Sequence, residues 1–265
     1  MSALSNFINE LQSFEEFSFS WEELVENTNA PESTLRKGLS GRQKEGEILN
    51  LRKGFYLILP PRYQSFGKLP IELYVDKLFK FLNRSYYISF YSAARLHGAS
   101  HQQIQQDYIV AGGLALRDIK KGNAGIRFFQ SKTWPIKNVL QYKADAGYYN
   151  ASSPSLTIAD LINYQAQLGG LNRMFATIEE LVEEITMEDV ADLIDWYPIN
   201  SVLQRMGYIL DQLETSMDVT EQLSERLQRE GFFPVLLSPE AGRKAGKARN
   251  RWKIDTNIKL ESDLT

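Results

Sequence analysis

Hydroxyl-bearing and cationic side chains are concentrated between residues 33 and 53, and these groups bind base edges and backbone phosphates in nucleic acids. Leu35 and Leu39 lie four residues apart in this segment, which predicts that both face the interior from one side of a helix. The polar side chains then fall on the solvent side of that helix and on the hairpin that follows it. The residues that this pattern assigns to DNA binding are Ser33, Thr34, Arg36, Lys37, Ser40, Arg42, Lys44, Arg52 and Lys53.

Two short helices are predicted to position these side chains. Ser20 directly precedes Trp21, and its hydroxyl can cap a helix that runs from Trp21 to about Glu26. Residues 27–31 form the turn, and Pro31 suits the start of the next helix because its missing N–H needs no partner there. The second helix is expected from Glu32 to Lys44.

Three residues of this second helix depart from an ideal pattern. Gly38 and Gly41 each cost about 1 kcal/mol relative to alanine. Arg42 occupies a position where an apolar residue would continue the stripe of Leu35 and Leu39. The last turn of the helix is therefore expected to be irregular.

A β-hairpin is predicted after the second helix. Gly46 can adopt the left-handed conformation that ends a helix, and the segments 48–51 and 55–59 are apolar and aromatic enough to form strands. Lys53 and Gly54 join the two strands, which places cations at the tip of the hairpin. Two helices followed by such a hairpin predict a winged helix-turn-helix, in which the tip lies along the phosphate backbone.

The charge distribution changes abruptly at the predicted second helix. Residues 1–35 contain seven acidic residues and no lysine or arginine, whereas residues 36–68 contain eight cations and two acidic residues. Local positive charge of this kind favours DNA contact, since neutralised phosphates release counterions. A protein-interaction module with a solvated basic face is the alternative that the pattern leaves open.

The predicted helices and strands indicate an α+β protein, and the length of the chain favours two domains. The chain has 265 residues, a formal net charge of −3 and no cysteine, so any DNA contact is local and thiolate metal sites are excluded. We expect a winged helix-turn-helix domain over 1–60, a linker over 61–70 and a larger, mostly helical α+β domain over 71–265. With no membrane-length apolar run and no signal peptide, a cytoplasmic protein without membrane partners is expected.

Helices and strands are also predicted outside residues 20–60. Leu4, Phe7, Ile8 and Leu11 have the spacing of an amphipathic helix, and its expected packing partners are Phe14, Phe17, Leu24 and Leu35. The aromatic and small residues of 86–98 favour one buried helix. Segments 108–111, 125–129, 139–142 and 148–149 are expected to form a small antiparallel sheet, and residues 154–230 are expected to be helical.

Two charged segments lie in the second half of the chain. The acidic run between 175 and 195 favours a solvated face over a contact surface for a basic partner. Near the C-terminus, strands are predicted at 232–237 and 251–260, on either side of a basic loop. This loop is a possible second phosphate contact, although a solvated loop fits equally well, and its cations are Arg243, Lys244, Lys247, Arg249 and Arg251.

Catalytic patterns are weak throughout the sequence. His97 and His101 could share a helix face, but Gly98 lies between them and the glutamate of an H-E-x-x-H motif is missing, so neither a metal site nor a cofactor is predicted. Gly112-Gly113 resembles a nucleotidyltransferase loop without the paired acids that hold Mg²⁺, because Asp118 and Asp145 each stand alone.

One enzyme alternative remains from the sequence. Asp255, Lys259 and Glu261 would share one face of the predicted last strand, which is a minimal nuclease set.

Five segments together resemble the AbiEi antitoxins of type IV toxin-antitoxin systems. ILNLRKGFYLI resembles the wing of that family, and YYISFYSAARLHGA resembles the start of its second domain. SPSLTIADLINY, VLQRMGYILDQL and RWKIDTNIKLESD are similar to later blocks in the same order.

This resemblance implies a function in two parts. The N-terminal winged helix would bind double-stranded promoter repeats of its own operon and repress it. The larger domain would counteract a nucleotidyltransferase-like toxin encoded alongside, without necessarily forming a stable complex with it. The alternatives are a protein-interaction adaptor that does not bind DNA and a repressor with no toxin.

Overall fold

The computed structural model describes residues 2–99, 105–242 and 248–261. These residues form an α+β structure that divides into two compact units. The first unit comprises Met1–Tyr87, Ile104–Ser131 and Gln141–Asn150. The second unit comprises Ile88–Gln103, Lys132–Leu140 and Ala151–Thr265. The units therefore differ from the predicted division at residues 60 and 70, because later strands return to the first unit.

The first unit begins with three helices and a three-stranded antiparallel sheet of order β1-β3-β2. The elements are α1 (Ala3–Ser13), β1 (Ser18–Ser20), α2 (Trp21–Glu26), α3 (Glu32–Lys44), β2 (Ile48–Arg52) and β3 (Phe55–Ile58). The predicted amphipathic helix, the two helices after it and the hairpin all lie where the sequence places them. The strand β1 was not predicted, and it pairs with β3 through Ser18 and Leu57.

One apolar core joins these six elements. Its fully buried members include Phe19, Leu24 and Leu35, so the leucine stripe of α3 faces inward as predicted. Phe17 is buried, but the expected partner Phe14 is 70% exposed. This prediction was wrong because α1 ends at Ser13, and Phe14 follows the last residue of the helix.

The predicted linker 61–70 contains structure of its own. It forms helix α4 (Pro61–Gln64), and Leu69 is buried. Helix α5 (Val75–Phe81) follows, and Lys77 on it forms ion pairs with Glu16 at 2.6 Å and Glu23 at 2.8 Å. These contacts hold α5 against α2 and against the segment between α1 and β1, within the same unit.

A six-stranded sheet of order β6-β7-β5-β4-β9-β8 follows. Its strands are β4 (Tyr86–Ile88), β5 (Asp107–Ala111), β6 (Ile119–Lys121), β7 (Ala124–Gln130), β8 (Val139–Ala144) and β9 (Gly147–Ser152). All four predicted strands are present, but the sheet is mixed and not antiparallel. β6 and β7 are antiparallel because a two-residue turn joins them, whereas β5 and β7 are parallel because a longer crossover connects them.

The aromatic segment 86–98 is not one helix. Tyr86–Ile88 forms β4, and helix α6 (Phe90–Leu96) starts after a sharp break. Phe90 has a φ of 55° in the left-handed region, which a continuous helix does not allow. Buried aromatic residues suit a central strand as well as a helix, so composition alone did not distinguish the two.

The second unit is mostly helical, as predicted for 154–230. Its helices after α6 are α7 (Pro154–Asn163), α8 (Gln165–Leu168), α9 (Leu171–Leu181), α10 (Met187–Trp196), α11 (Asn200–Gln212) and α12 (Met217–Glu230). Every residue from Ser155 to Ile162 is buried, so α7 is the central helix of this unit. The buried carboxylate of Asp160 on it accepts a hydrogen bond from the Ser89 hydroxyl at 2.8 Å.

The C-terminal strands are shorter than predicted. β10 (Val235–Leu236) and β11 (Ile254–Asp255) form a two-residue parallel pair. Trp252 next to β11 is almost fully buried, and its ring occupies the space beside Gly207, where a Cβ would come within 2.3 Å. No helix in the described part of the chain is both long enough and apolar enough to span a membrane.

Candidate nucleic-acid interface

Helix α3 presents one polar face to solvent. Leu35 and Leu39 are 1% and 2% exposed, which fixes the rotation of the helix about its axis. Six of the predicted DNA-binding residues are exposed on its other side, and these are Ser33, Thr34, Arg36, Lys37, Ser40 and Lys44. The arrangement brings hydroxyl donors and cations onto one continuous helix surface, as base and phosphate contacts require.

Capping and close packing hold α3 and α2 in place. The Ser20 hydroxyl accepts from the Glu23 N–H at 3.0 Å, and the Glu23 carboxylate accepts from the Ser20 N–H, which completes a capping box for α2. Pro31 precedes α3 with an extended ψ of 138°. Gly38 faces α1, where a Cβ would lie 2.8 Å from the Leu4 side chain. A glycine at 38 therefore permits the close approach of α3 to α1.

Arg36 is held by two neighbours. Its guanidinium carbon lies 4.0 Å from the centroid of the Trp21 ring, and its Nη2 donates to Glu32 at 3.1 Å. The side chain remains 62% exposed, so these contacts orient the guanidinium without covering it. Burial raises the pKa of nearby Tyr56, while the charge of Arg36 opposes that increase.

Arg42 differs from the other cations of α3. Its guanidinium donates to Glu47 and, at 2.9 Å, to the Ser5 hydroxyl. These two bonds occupy donors that a phosphate would need, and they connect α3 to α1 and to the segment before β2. They also account for a polar residue where an apolar one was expected. The last turn of α3 is regular helix through Lys44, so the expected irregularity is wrong.

The hairpin β2–β3 carries the second group of cations. A bulge between Asn50 and Arg52 shifts the register before the turn, and Gly54 closes the turn with a φ of 80°. The Gly54 carbonyl accepts from the Trp21 N–H at 2.8 Å, which fixes the hairpin against the start of α2. Lys53 at the tip is exposed, and Arg52 is partly buried.

Most of these cations have no anionic partner among the residues that the structure describes. Within residues 2–99, 105–242 and 248–261, no carboxylate pairs with Lys37, Lys44, Arg52 or Lys53. One guanidinium nitrogen of Arg52 is buried without a hydrogen-bond partner. Unpaired cations on a rigid scaffold attract phosphates without first breaking internal ion pairs.

The predicted second phosphate contact is only partly described. Arg243, Lys244 and Lys247 lie outside the described residues. Arg249 is exposed, whereas Arg251 donates to Asp211 at 2.8 Å and to Glu221 at 3.1 Å. Its hydrogen bonds to Asp211 raise the pKa of Arg251. Arg251 is therefore bound to carboxylates of its own unit.

The candidate catalytic residues have structural contacts. His97 donates from Nε2 to the Ser152 carbonyl at 2.8 Å, and His101 lies outside the described residues. The Asp118 carboxylate accepts from the Phe128 N–H at 2.9 Å. Among the residues described, no group of three or more potential ligands could hold a metal ion.

The predicted nuclease set does not form on one strand. β11 contains only Ile254 and Asp255. Lys259 lies beyond the strand and pairs with Glu261 at 3.3 Å, so the alternation that grouped the three residues is absent.

A buried polar network connects three segments of the second unit. Asn138 is 4% exposed, and its Nδ2 donates to the Asp189 carboxylate at 2.8 Å. Its Oδ1 accepts from the indole nitrogen of Trp196 at 2.8 Å. Asp189 also accepts from the Ser155 N–H at 2.8 Å. Part of the acidic run is thus structural, and four of its eight acidic residues are exposed, namely Glu183, Glu184, Glu188 and Asp195.

Two contributions to the interface were not predicted from the sequence. Trp21 was identified only as the first residue of a helix, and its contact with Arg36 depends on how α2 and α3 pack. Lys121 was given no functional role in the sequence analysis, but it lines an open groove of about 460 Å³ together with Lys53. The sequence contains the signal Lys120-Lys121-Gly122, without any indication of which hairpin lies next to it.

Comparisons with known proteins give a solved structure of similar fold and a matching family model. The crystal structure of the RV2827C protein from Mycobacterium tuberculosis is similar with a TM-score of 0.64, and the match covers 94% of this chain and 89% of that one. At 14% identity this likeness shows the fold alone. No curated protein sequence matches the chain. Residues 87–212, just under half of the chain, match the family model for the AbiEi antitoxin C-terminal domain, and this match supports the assignment of this part of the chain to the AbiEi antitoxins.

Proposed function

We propose that this chain is an antitoxin and a DNA-binding autorepressor, which binds double-stranded promoter repeats of its own operon through α3 and the hairpin β2–β3. The observation that carries the proposal is the set of exposed, unpaired cations on these elements. Lys37, Lys44 and Lys53 have no carboxylate partner in the described part of the chain, and the core of Leu35 and Leu39 fixes the helix that presents the first two.

The element order supports a winged helix-turn-helix mechanism. In such domains the second helix enters the major groove, and its N-terminal residues read the bases. Ser33, Thr34, Arg36 and Lys37 occupy these positions of α3. Arg36 suits base recognition because its planar guanidinium can bind guanine through two hydrogen bonds. Arg52 and Lys53 lie on the hairpin, which we assign to the adjacent phosphate backbone.

The charge of the chain is compatible with local DNA binding. The formal net charge is −3, so long-range attraction to DNA is weak and the unpaired cations must act at close range. Arg42 belongs to the predicted set, but its bonds to Glu47 and Ser5 give it a structural role in this proposal.

For the antitoxin role, we propose that the second domain counteracts a nucleotidyltransferase-like toxin encoded in the same operon. The match to the AbiEi antitoxin C-terminal domain supports this assignment because it covers residues 87–212, which lie within the predicted second domain over 71–265. We propose that the chain acts in the cytoplasm as a regulator, without catalysis and without a cofactor.

A binding titration tests the DNA part of the proposal. The full chain is titrated into a labelled fragment of the DNA upstream of its gene, and into a mixed-sequence duplex of equal length, at several salt concentrations. Arg52→Ala/Lys53→Ala should weaken binding about equally on both duplexes and reduce the salt slope by roughly two. Lys143 is an exposed cation on β8, at the opposite edge of the sheet from β6, and Lys143→Ala is the matched control.

Two results would overturn this assignment. Binding that does not respond to salt would exclude phosphate contacts, and equal affinity for both duplexes would exclude operator recognition. Absence of binding to both duplexes would favour the protein-interaction adaptor, which does not bind DNA. For the antitoxin part, the chain is co-expressed with the adjacent reading frame. Failure of the chain to restore growth would exclude the antitoxin role, and an adjacent frame that is not toxic would leave a repressor with no toxin.

A further inference from the structure

A second hairpin lies beside the predicted wing. The strands β6 and β7 are joined by a turn at Gly122 and Asn123, and their register pairs Lys121 with Ala124. Lys121 lines an open groove of about 460 Å³. The other lining residues come from the end of α3 and from the wing, and they are Gln43, Ile48, Leu49, Asn50 and Lys53.

The polar lining of this groove suits a phosphodiester. It contains two ammonium groups, from Lys53 and Lys121, and two side-chain amides, from Gln43 and Asn50. None of the six lining residues is acidic. Lys121 is exposed and has no carboxylate partner in the described ranges, so both ammonium groups are available to an anion.

The second hairpin is also fixed in position. The Asn123 side chain donates to the Phe66 carbonyl at 2.9 Å, and the Asp118 carboxylate accepts from the Phe128 N–H. Ile119 on β6 is buried. These contacts hold both ends of the strand that carries Lys121, so the lysine is presented to the groove on a rigid element.

We infer that this groove binds backbone phosphates of the DNA beyond those contacted by the wing, with Lys121 as the additional contact. The inference rests on the proposed function, because the same duplex must lie on α3 and the hairpin β2–β3. It extends the interface to a segment that follows the predicted linker by more than 40 residues. Lys120 is the neighbouring cation, and alternation along a strand directs it to the opposite face of β6.

Single substitutions in the full chain test the inference. Because a phosphate contact carries no sequence information, Lys121→Ala should weaken binding to the upstream fragment and to a mixed-sequence duplex by the same factor. The expected loss is roughly 5- to 10-fold at 0.1 M salt, with a salt slope less negative by about 0.9. Lys120→Ala should cause a smaller loss than Lys121→Ala. Lys143→Ala, on the opposite edge strand, should bind like the unaltered chain.

Hydroxyl-radical footprinting adds a second measurement. Lys121→Ala should lose protection of sugars at the outer edge of the footprint while the central protection remains. If Lys121→Ala binds like Lys143→Ala while Lys53→Ala is weakened, the groove is not a phosphate site although the proposed function stands. If Lys53→Ala is also unaffected, the proposed function fails and this inference fails with it.

Discussion

The guanidinium of Arg36 stacks on the ring of Trp21 at 4.0 Å from its centroid, so the first helix of the predicted recognition motif orients the arginine of the second. A planar cation over an indole face gains about 0.5–1 kcal/mol at an exposed site. The contact also restricts the rotamers of a long side chain before DNA arrives, and this lowers the entropy lost on binding.

Removal of this contact should reduce sequence discrimination. Arg36→Ala should lower the preference for the upstream fragment over a mixed-sequence duplex by about 1–3 kcal/mol. Trp21→Ala should produce a smaller loss in the same direction because Arg36 is still present but less fixed. Competition titrations at one salt concentration measure both effects. Trp21→Phe keeps an aromatic ring and serves as the control, whereas equal discrimination by Trp21→Ala and the unaltered chain would contradict the orienting role.

The two glycines of α3 should respond in opposite directions to alanine. Gly38→Ala places a Cβ 2.8 Å from Leu4, which should destabilise the fold by about 1–3 kcal/mol through overpacking. In Gly41→Ala the added Cβ has no neighbouring atom within 4 Å. The higher helix propensity of alanine should therefore stabilise the fold by up to about 1 kcal/mol. Urea unfolding monitored by circular dichroism measures both changes. Destabilisation of the two variants by equal amounts would show that packing against α1 does not explain Gly38.

The N-terminal elements were predictable because their signals are local. Ser20 caps the helix that starts one residue later, and Pro31 marks the start of α3. Each signal lies within a few residues of the element that it defines, and the bounds of α2 and α3 agree with the prediction. The exposed face of α3 followed directly from the spacing of Leu35 and Leu39.

The remaining features depend on residues that are distant in sequence. β4 is a strand because Ile88 pairs with Ala151, and no local window contains both residues. Lys121 contributes to the groove because β6 packs beside β2, more than 60 residues earlier in the chain. Composition gave the same signal for a buried helix and a buried strand at 86–98, and only tertiary pairing distinguishes them.

Buried tyrosines should make the fold sensitive to alkali. Tyr74 is 2% exposed, and burial raises its pKa well above the ordinary value of 10, with Asp107 and Glu72 adding to the increase. Burial likewise raises the pKa of Tyr164 to about 12. The folded protein therefore keeps protons that the unfolded chain releases. The contribution of these protonated tyrosines to the free energy of unfolding is therefore complete below pH 10. It is lost as the pH rises through the folded-state pKa values.

The slope of this loss is measurable. Each such tyrosine should lower the free energy of unfolding by about 1.4 kcal/mol per pH unit between its unfolded and folded pKa values. Urea midpoints measured from neutral pH to strongly alkaline pH give the slope, and Tyr74→Phe should make it shallower. If the absorbance of tyrosinate shows that every tyrosine of the folded protein titrates near pH 10, the prediction fails.

Asn138 should be essential to the stability of the second unit. Asn138→Ala removes the acceptor of the Trp196 indole and the donor to Asp189, and the partly buried groups left without partners should cost about 2–4 kcal/mol. Asn138 also has a φ of 64°, so part of any loss could come from alanine in the left-handed region. Asn83 separates the two causes because its φ is 51° and its side chain is exposed. Asn83→Ala should lose about 1–2 kcal/mol, and equal losses in thermal unfolding would show that the backbone, and not the network, explains Asn138.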